Sequence, residues 1–360
     1  MNKRLFLMAG GGTGGHVIPA IAVARELRAM GQDVMFVGTA RGAEARLVPA
    51  AGFRLETIEV GGMKGLGWMT RLISAWRLVM ETLKLVVKFG EWEPCAVFSM
   101  GGYVAGPPTL AALLRALPLV VMEPNAMPGA TNRWVGSWVT RALIGFEESR
   151  GHFPEKLTEM TGLPVREEFF ALPPKQNDGV FTVLITGGSQ GSQRLNNAAR
   201  EAWPLIRQAL LPVRLIHQSG TAMADELVSG FAATGLAGGV TAFLSDMPAA
   251  FAQADLVICR SGAGAVSELA AAGKAAVLVP YPFAADDHQA KNAESFVRVG
   301  AARMVADAEW TGQRFFEVLR EFAGDRTALN RMGAAARTLA KPGAARRAAE
   351  ILMEVGRKSD

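Results

Sequence analysis

The feature that most limits the fold is a short apolar strand that runs straight into glycines and then into a helix, written twice. Leu5-Phe-Leu-Met-Ala9 enters Gly10-Gly-Gly-Thr-Gly-Gly-His16, and an amphipathic helix is expected from about Ile18 to Met30, ended by Gly31. Phe181-Thr-Val-Leu-Ile-Thr186 enters Gly187-Gly-Ser-Gln-Gly191, with helical patterning from Gln193 onward. The two starts lie half a chain apart in 360 residues, so each opens one half.

After each start, short apolar runs alternate with helical patterns. Strands are expected at 34–37, 96–98, 119–122 and 142–144, then at 215–217, 256–259, 276–279 and 303–305. Such alternation builds parallel, doubly wound sheets. One core stops growing near ~250–300 residues. The expected α/β architecture is therefore two Rossmann-like domains facing each other across a cleft. Their expected bounds are 1–163 and 164–340, joined by a proline-containing segment, 162–179. Residues 341–360, after Lys341-Pro-Gly343, are expected to form a helix that packs back on the N-terminal domain.

Composition narrows the class. Hydrophobic residues at 50% and charged residues at 20% suit globular cores and exclude general disorder. Cys95 and Cys259 each sit in an apolar run and read as buried free thiols in a reducing compartment. The start has no signal-peptide h-region, and no uncharged stretch reaches the ~18 residues of a membrane span, so a soluble protein is expected. The net charge of +5 is concentrated in residues 1–165, which carry 17 Lys and Arg against 13 Asp and Glu. No basic arm suggests nucleic acid, which leaves an anionic membrane surface or a phosphorylated ligand.

A strand turning through glycines into a helix presents free N–H groups at the positive end of a helix dipole, which is an anion site. A tight turn without a ligand is the plain alternative for either loop alone. Neither loop has the Gly-Lys-Ser/Thr of a Walker A sequence. Gly38 and Thr39 stand where a dinucleotide fold needs a ribose-binding acid, which argues against a dehydrogenase. A third loop, Cys259-Arg-Ser-Gly262, also opens a helix. Its glycines and Ser261 suit phosphate, and Glu268 suits ribose hydroxyls, so a nucleoside diphosphate is expected in the second half.

The ordered set Gly11-Gly-Thr-Gly-Gly-His16, Met100-Gly-Gly-Tyr103, Glu123-Pro-Asn125, Gly187-Gly-Ser-Gln-Gly191, Arg260-Ser-Gly262 with Ser267-Glu268, and Asp286-Asp-His-Gln289 with Asn292-Ala293 resembles the peptidoglycan N-acetylglucosaminyltransferases of glycosyltransferase family 28. The resemblance spans nearly the whole chain. It implies a GT-B fold and an inverting transfer of N-acetylglucosamine from UDP-GlcNAc to the 4-hydroxyl of a polyprenyl-diphosphate-linked muramoyl pentapeptide. By position it places Thr13, Gly14, Gly15, Asn125, Arg166, Ser189, Leu244, Ala263, Gly264, Ala265, Val266, Ser267, Glu268 and Gln289 among the substrate-binding residues. The segments Met122-Glu-Pro-Asn125 and Asp286-Asp-His-Gln289 depart from the family's familiar His-Glu-Gln-Asn and Asp-Arg-Gln-Gln.

His16 is the leading candidate base, since an imidazole titrates near neutrality, and Glu123 is the second; a histidine that only binds phosphate or backbone is the alternative. No Asp-x-Asp triplet occurs, and neither metal nor cofactor is expected. A lipid acceptor implies a peripheral enzyme on the cytoplasmic face of the plasma membrane, with cell-wall synthesis proteins as further partners. Trp68, Met69, Leu72, Ile73 and Trp76, with cations among them, are the expected membrane contact, while the part around 83–87 is expected to be core. A UDP-GlcNAc 2-epimerase-like enzyme and a non-catalytic nucleotide-binding protein are the rival readings.

Overall fold

The computed structural model describes residues 3–61, 68–173, 175 and 179–357, and of residues 68–72 the backbone alone. The chain divides into two compact units, residues 1–165 with 343–360, and residues 166–342.

The first unit contains β1 (Leu5–Ala9), α1 (Gly14–Ala29), β2 (Asp33–Gly38), α2 (Ala43–Ala50), β3 (Arg54–Thr57) and α3 (Trp68–Trp92). It continues with β4 (Ala96–Ser99), α4 (Gly106–Leu114), β5 (Leu119–Glu123), α5 (Ala130–Val135), β6 (Arg141–Ile144) and β7 (Thr158–Glu159). Its sheet has the order β3-β2-β1-β4-β5-β6-β7, every pair parallel. Parallel strands are covered on both faces, and β1, β4 and β5 are buried along most or all of their length.

The second unit contains β8 (Phe181–Thr186), α6 (Gln193–Gln208), β9 (Val213–Gln218), α7 (Ala224–Ala232), β10 (Ala237–Thr241), α8 (Met247–Gln253) and β11 (Leu256–Cys259). There follow α9 (Ala263–Ala272), β12 (Ala275–Leu278), α10 (His288–Arg298), β13 (Ala302–Met304), α11 (Gly312–Ala323) and α12 (Arg326–Thr338). Its sheet order is β10-β9-β8-β11-β12-β13, again all parallel. In both units the first strand is central and the chain reverses direction across the sheet beside it. Ligands in such sheets bind beyond the carboxyl ends of the strands at that point.

The last helix, α13 (Ala344–Val355), belongs to the first unit and lies against α1. Ala348, Ala349, Ile351 and Leu352 are buried, and Arg347 donates to both oxygens of Glu159 at 2.6 and 3.0 Å. Helix α1 begins at Gly14, four residues before the start expected from hydrophobic spacing, because the glycines themselves form its first turn.

Beneath the carboxyl end of the second sheet, His217 on β9 is 2% exposed, and its Nε2 donates to Asn196 Oδ1 on α6 at 3.0 Å. Its Nδ1 has no hydrogen-bond partner among the described residues. Burial pushes this imidazole down to about 4. The depressed value means the folded state resists a proton that the unfolded chain accepts near pH 6.5. The stability His217 protects is thus present above pH 6.5 and lost as pH falls toward 4. We expect unfolding free energy to drop by about 2 kcal/mol more between pH 7 and pH 5 in the native chain than in His217→Gln. Urea titrations that follow the second unit check this, and equal slopes for the two proteins would contradict it.

Candidate active site

The expected site residues fall into two groups, one at the carboxyl end of each sheet. In the first unit the β1–α1 turn carries Thr13, Gly14, Gly15 and His16. Thr13 is the N-cap but makes no side-chain cap, so the first N–H groups of α1 face outward without one. The turn is held from behind by Glu44, on the first turn of α2 and 0% exposed. Glu44 accepts from Gly12 N at 2.8 Å, Thr39 N at 2.9 Å and Thr39 Oγ1 at 2.6 Å. Burial pushes its carboxyl up, but the hydrogen bonds from Thr39, its own N–H and Gly12 outweigh that and hold it below the usual range. A Cβ at Gly11, Gly38 or Gly42 would run into the Glu44 side chain. Gly11 is thus required for the carboxylate beneath it, a reason the sequence alone did not suggest.

Two neighbouring loops close around this turn. Gly102, at φ +78°, lies against the His16 ring, and Tyr103 lies against Gly12. Thr131 Oγ1 donates to Gly102 O at 2.9 Å. His16 is half-buried, with Nδ1 3.3 Å from Gly11 O.

Glu123, the second candidate base, is placed differently from that expectation. It is 1% exposed. Its Oε1 accepts from Asn125 N at 2.9 Å and Asn125 Nδ2 at 3.3 Å. Its Oε2 accepts from Gly129 N at 3.0 Å and Asn132 Nδ2 at 2.9 Å. Burial pushes its carboxyl up against the pull of these donors. Both carboxyl oxygens are engaged by these donors, and Glu123 serves as the strut of the 123–129 loop.

In the second unit the glycine loop 187–191 and the turn 219–220 meet backbone to backbone; a Cβ on Gly191 would overlap Ser219 O. Ser189 is exposed at the tip. Helix α6 is capped by Ser192, whose Oγ accepts from Leu195 N. The second glycine loop therefore differs from the first, and the open helix start lies at α9 instead. There the N-cap is Gly262, with no side-chain cap, and a Cβ on Gly262 or Gly264 would meet nothing within 4 Å among the described residues. Ala263, Gly264, Ala265, Val266 and Ser267 form the first turns of α9, and Glu268 follows them.

Arg166 Nη2 lies 3.7 Å from Glu268 Oε1, and its guanidinium stacks 4.9 Å from the Phe169 ring. The Glu268 side chain keeps 30% of its surface in solvent, yet protein atoms crowd the carboxyl and push it up to about 7, with Arg166 opposing. Ser261, expected to bind phosphate, is fully buried and donates its hydroxyl to Gln289 O at 2.8 Å. That hydroxyl anchors α10 instead. Gln289 Oε1 accepts from Tyr281 N at 3.0 Å.

Gln218, which sequence reasoning missed, joins two expected contacts. It is 1% exposed at the end of β9; its Nε2 donates to Gly188 O at 2.9 Å and Thr186 Oγ1 at 3.2 Å, and its Oε1 accepts from Leu244 N at 2.9 Å. The one signal was the polar run His217-Gln-Ser219 closing an apolar strand.

Helix α3 is apolar on two faces. Leu85 and Phe89 are buried, while Ile73 is 50%, Trp76 65%, Leu83 51% and Val87 63% exposed. With Met80, these follow one another at spacings of three and four residues and form a stripe along the helix, beside Arg77, Lys84 and Lys88. Within 83–87, Leu85 is buried and Val86 packs partly against the core, while Leu83 and Val87 stay exposed because the stripe runs on past Trp76. The side chains of Trp68, Met69 and Leu72 lie outside the described residues. Among the described residues no helix is long and apolar enough to cross a membrane, and no group of three His, Cys, Asp or Glu could hold a metal ion.

Comparison with known proteins decides the family. The Glycosyltransferase family 28 N-terminal domain matches residues 6–144, and the Glycosyltransferase family 28 C-terminal domain matches residues 182–348. The chain belongs to glycosyltransferase family 28. Within the family it is 60% identical, over 98% of this chain and 96% of the relative, to the UDP-N-acetylglucosamine–N-acetylmuramyl-(pentapeptide) pyrophosphoryl-undecaprenol N-acetylglucosamine transferase of Solibacter usitatus (strain Ellin6076). It is similar to the crystal structure of Acinetobacter baumannii MurG, with a TM-score of 0.82 and 30% identity over 98% of this chain and all of that one. The α/β GT-B class expected from the motifs stands on these findings. A Listeria monocytogenes structure described as a UDP-N-acetylglucosamine 2-epimerase has a TM-score of 0.71 at 12% identity, over all of this chain and 98% of that one, which is likeness of fold alone.

Gln218→Met keeps the volume but strands the Gly188 carbonyl and the Leu244 N–H. We expect a loss of about 2 kcal/mol in the second unit and faster hydrogen exchange at the Leu244 amide. Unchanged exchange there would show that the amide does not hold the two loops together.

Proposed function

We propose that this member of family 28 transfers N-acetylglucosamine from UDP-GlcNAc to the N-acetylmuramyl-(pentapeptide) group of a pyrophosphoryl-undecaprenol lipid. The observation that carries this reading is 60% identity across nearly the full length of a relative that bears that activity in its name. The uncapped start of α9, with space above Gly262 and Gly264, supports placing the donor's diphosphate in the second unit.

The chemistry follows from the roles proposed for the chain's own groups. The acceptor 4-hydroxyl attacks C1 of the donor sugar and inverts it. His16 Nε2 takes the hydroxyl proton, and the C1–O bond breaks with its electron pair going to the departing UDP. Thr13, Gly14 and Gly15 line the reacting region beside His16. The N–H groups from Ala263 to Ser267, with Arg166, stabilise charge as it builds on the diphosphate. Glu268 accepts from the ribose, the Leu244 backbone reads the base, Ser189 and Asn125 contact the donor, and Gln289 reads sugar hydroxyls.

The stripe Ile73, Trp76, Met80, Leu83 and Val87, flanked by Arg77, Lys84 and Lys88, rests on an anionic membrane surface and brings the enzyme to its lipid acceptor. A peripheral location on the cytoplasmic face of the membrane is part of the same proposal.

The direct test is labelled UDP-GlcNAc with and without a short-chain muramoyl-pentapeptide diphospholipid. Label should move to the lipid only when the lipid is present; epimerisation or hydrolysis of the donor without it would overturn the reading. His16→Ala should lower turnover about 100-fold or more with UDP affinity within twofold, and unchanged turnover removes His16 from the role. Trp76→Ser with Leu83→Ser, both on exposed positions, should weaken binding to anionic vesicles about tenfold without altering stability. Undiminished co-sedimentation would contradict the membrane face.

A further inference from the structure

Glu44 is a fully buried carboxylate that the transfer chemistry above does not use. Its Oε2 accepts the Gly12 N–H at 2.8 Å. The carbonyl on the other side of that same peptide group is Gly11 O, which lies 3.3 Å from His16 Nδ1. A trans peptide is planar, with its C=O and N–H pointing in opposite directions. One amide therefore has the Glu44 carboxylate on one edge and the His16 imidazole on the other.

We infer that Glu44 is a positioning residue that acts on His16 through the Gly11–Gly12 peptide, as the carboxylate of a carboxylate–peptide–imidazole relay. The inference rests on the proposed role of His16 for its consequence in turnover, though not for its geometry. A carbonyl oxygen can only accept, so His16 Nδ1 carries the proton and Nε2 presents a lone pair. A hydrogen bond from the amide to a carboxylate polarises the amide, and its carbonyl becomes a better acceptor for the next donor along. The work done in an Asp–His pair by direct contact, fixing the tautomer and stabilising the imidazolium as it forms, is here passed through one backbone group.

The surroundings of Glu44 fit this role. Thr39 supplies two further donors, from N and Oγ1, to Oε1, so Oε2 is left to the loop. Gly42 N in turn donates to Thr39 Oγ1 at 3.2 Å, which orients the hydroxyl toward the carboxylate. Gly11, Gly38 and Gly42 surround the side chain at distances that admit no Cβ. A carboxylate is accommodated here between three glycines, where any added Cβ would press on it and shift it. A mere turn support could be built from an amide or a hydroxyl.

The test reads the imidazole directly. The chain has four histidines, so ring-nitrogen NMR with His16→Ala as the assignment control resolves His16. In the native chain the neutral His16 ring should carry its proton on Nδ1; a proton on Nε2 would overturn the inference without any variant having to fold. In Glu44→Gln the Nδ1–H form should give way to a mixture of tautomers. The same variant should lose kcat on the order of 10- to 100-fold while the KM for UDP-GlcNAc stays within twofold. A native-like tautomer in Glu44→Gln, or an unchanged kcat alongside a crippled His16→Ala, would refute the relay. Should His16→Ala keep full turnover while the tautomer shift is still seen, the relay stands and His16 as base falls.

Discussion

In each unit the turn that follows the first strand is held from behind by one buried polar side chain that comes from the end of the second strand or just past it. In the first unit that side chain is Glu44, reached through Thr39; in the second it is Gln218 at the tip of β9. Glycine-rich turns are entropically costly to order, and without these holds the outward N–H groups would have no fixed direction. The choice of group differs with the task. A carboxylate only accepts, and it gathers the N–H groups of Gly12 and Thr39. An amide does both, so Gln218 can join the Gly188 carbonyl to the Leu244 N–H. It also adds no negative charge beside the glycine loop 187–191.

Much of the architecture was legible because β1, β4, β5, β8, β11 and β12 are short, almost wholly apolar runs, which a parallel central strand requires. The strands that escaped were β3, β7 and β10. Each stands at a sheet edge with residues partly or fully exposed, and Ala237-Gly-Gly239 in β10 offers a single methyl side chain and no alternation. Edge strands are set by their neighbour rather than by their own composition.

The site was legible where backbone does the work and opaque where side chains act at a distance in sequence. The glycines before α1 and α9 announce an open helix start from local pattern, whereas those before α6 do not, because Ser192 caps that helix. Nothing local shows that Gly11 makes room for Glu44, that Ser261 is committed to Gln289, or that Glu123 is enclosed by Asn125, Gly129 and Asn132. Those facts depend on which loops the sheet order brings together. Helix α3 shows the same limit in another form. Its period identified an amphipathic helix, but a helix buried along Leu85 and Phe89 and apolar again along Trp76 and Leu83 reads as a single wide stripe until the first face is covered.

The central claim is that a uridine diphosphate sugar is gripped at the open start of α9 together with the two loops that Gln218 joins. Hydrogen exchange of the native chain with and without UDP-GlcNAc tests it most directly. Exchange should slow in 187–191, 243–247 and 262–268. Protection absent from all three segments, or confined to 10–16, would contradict the account.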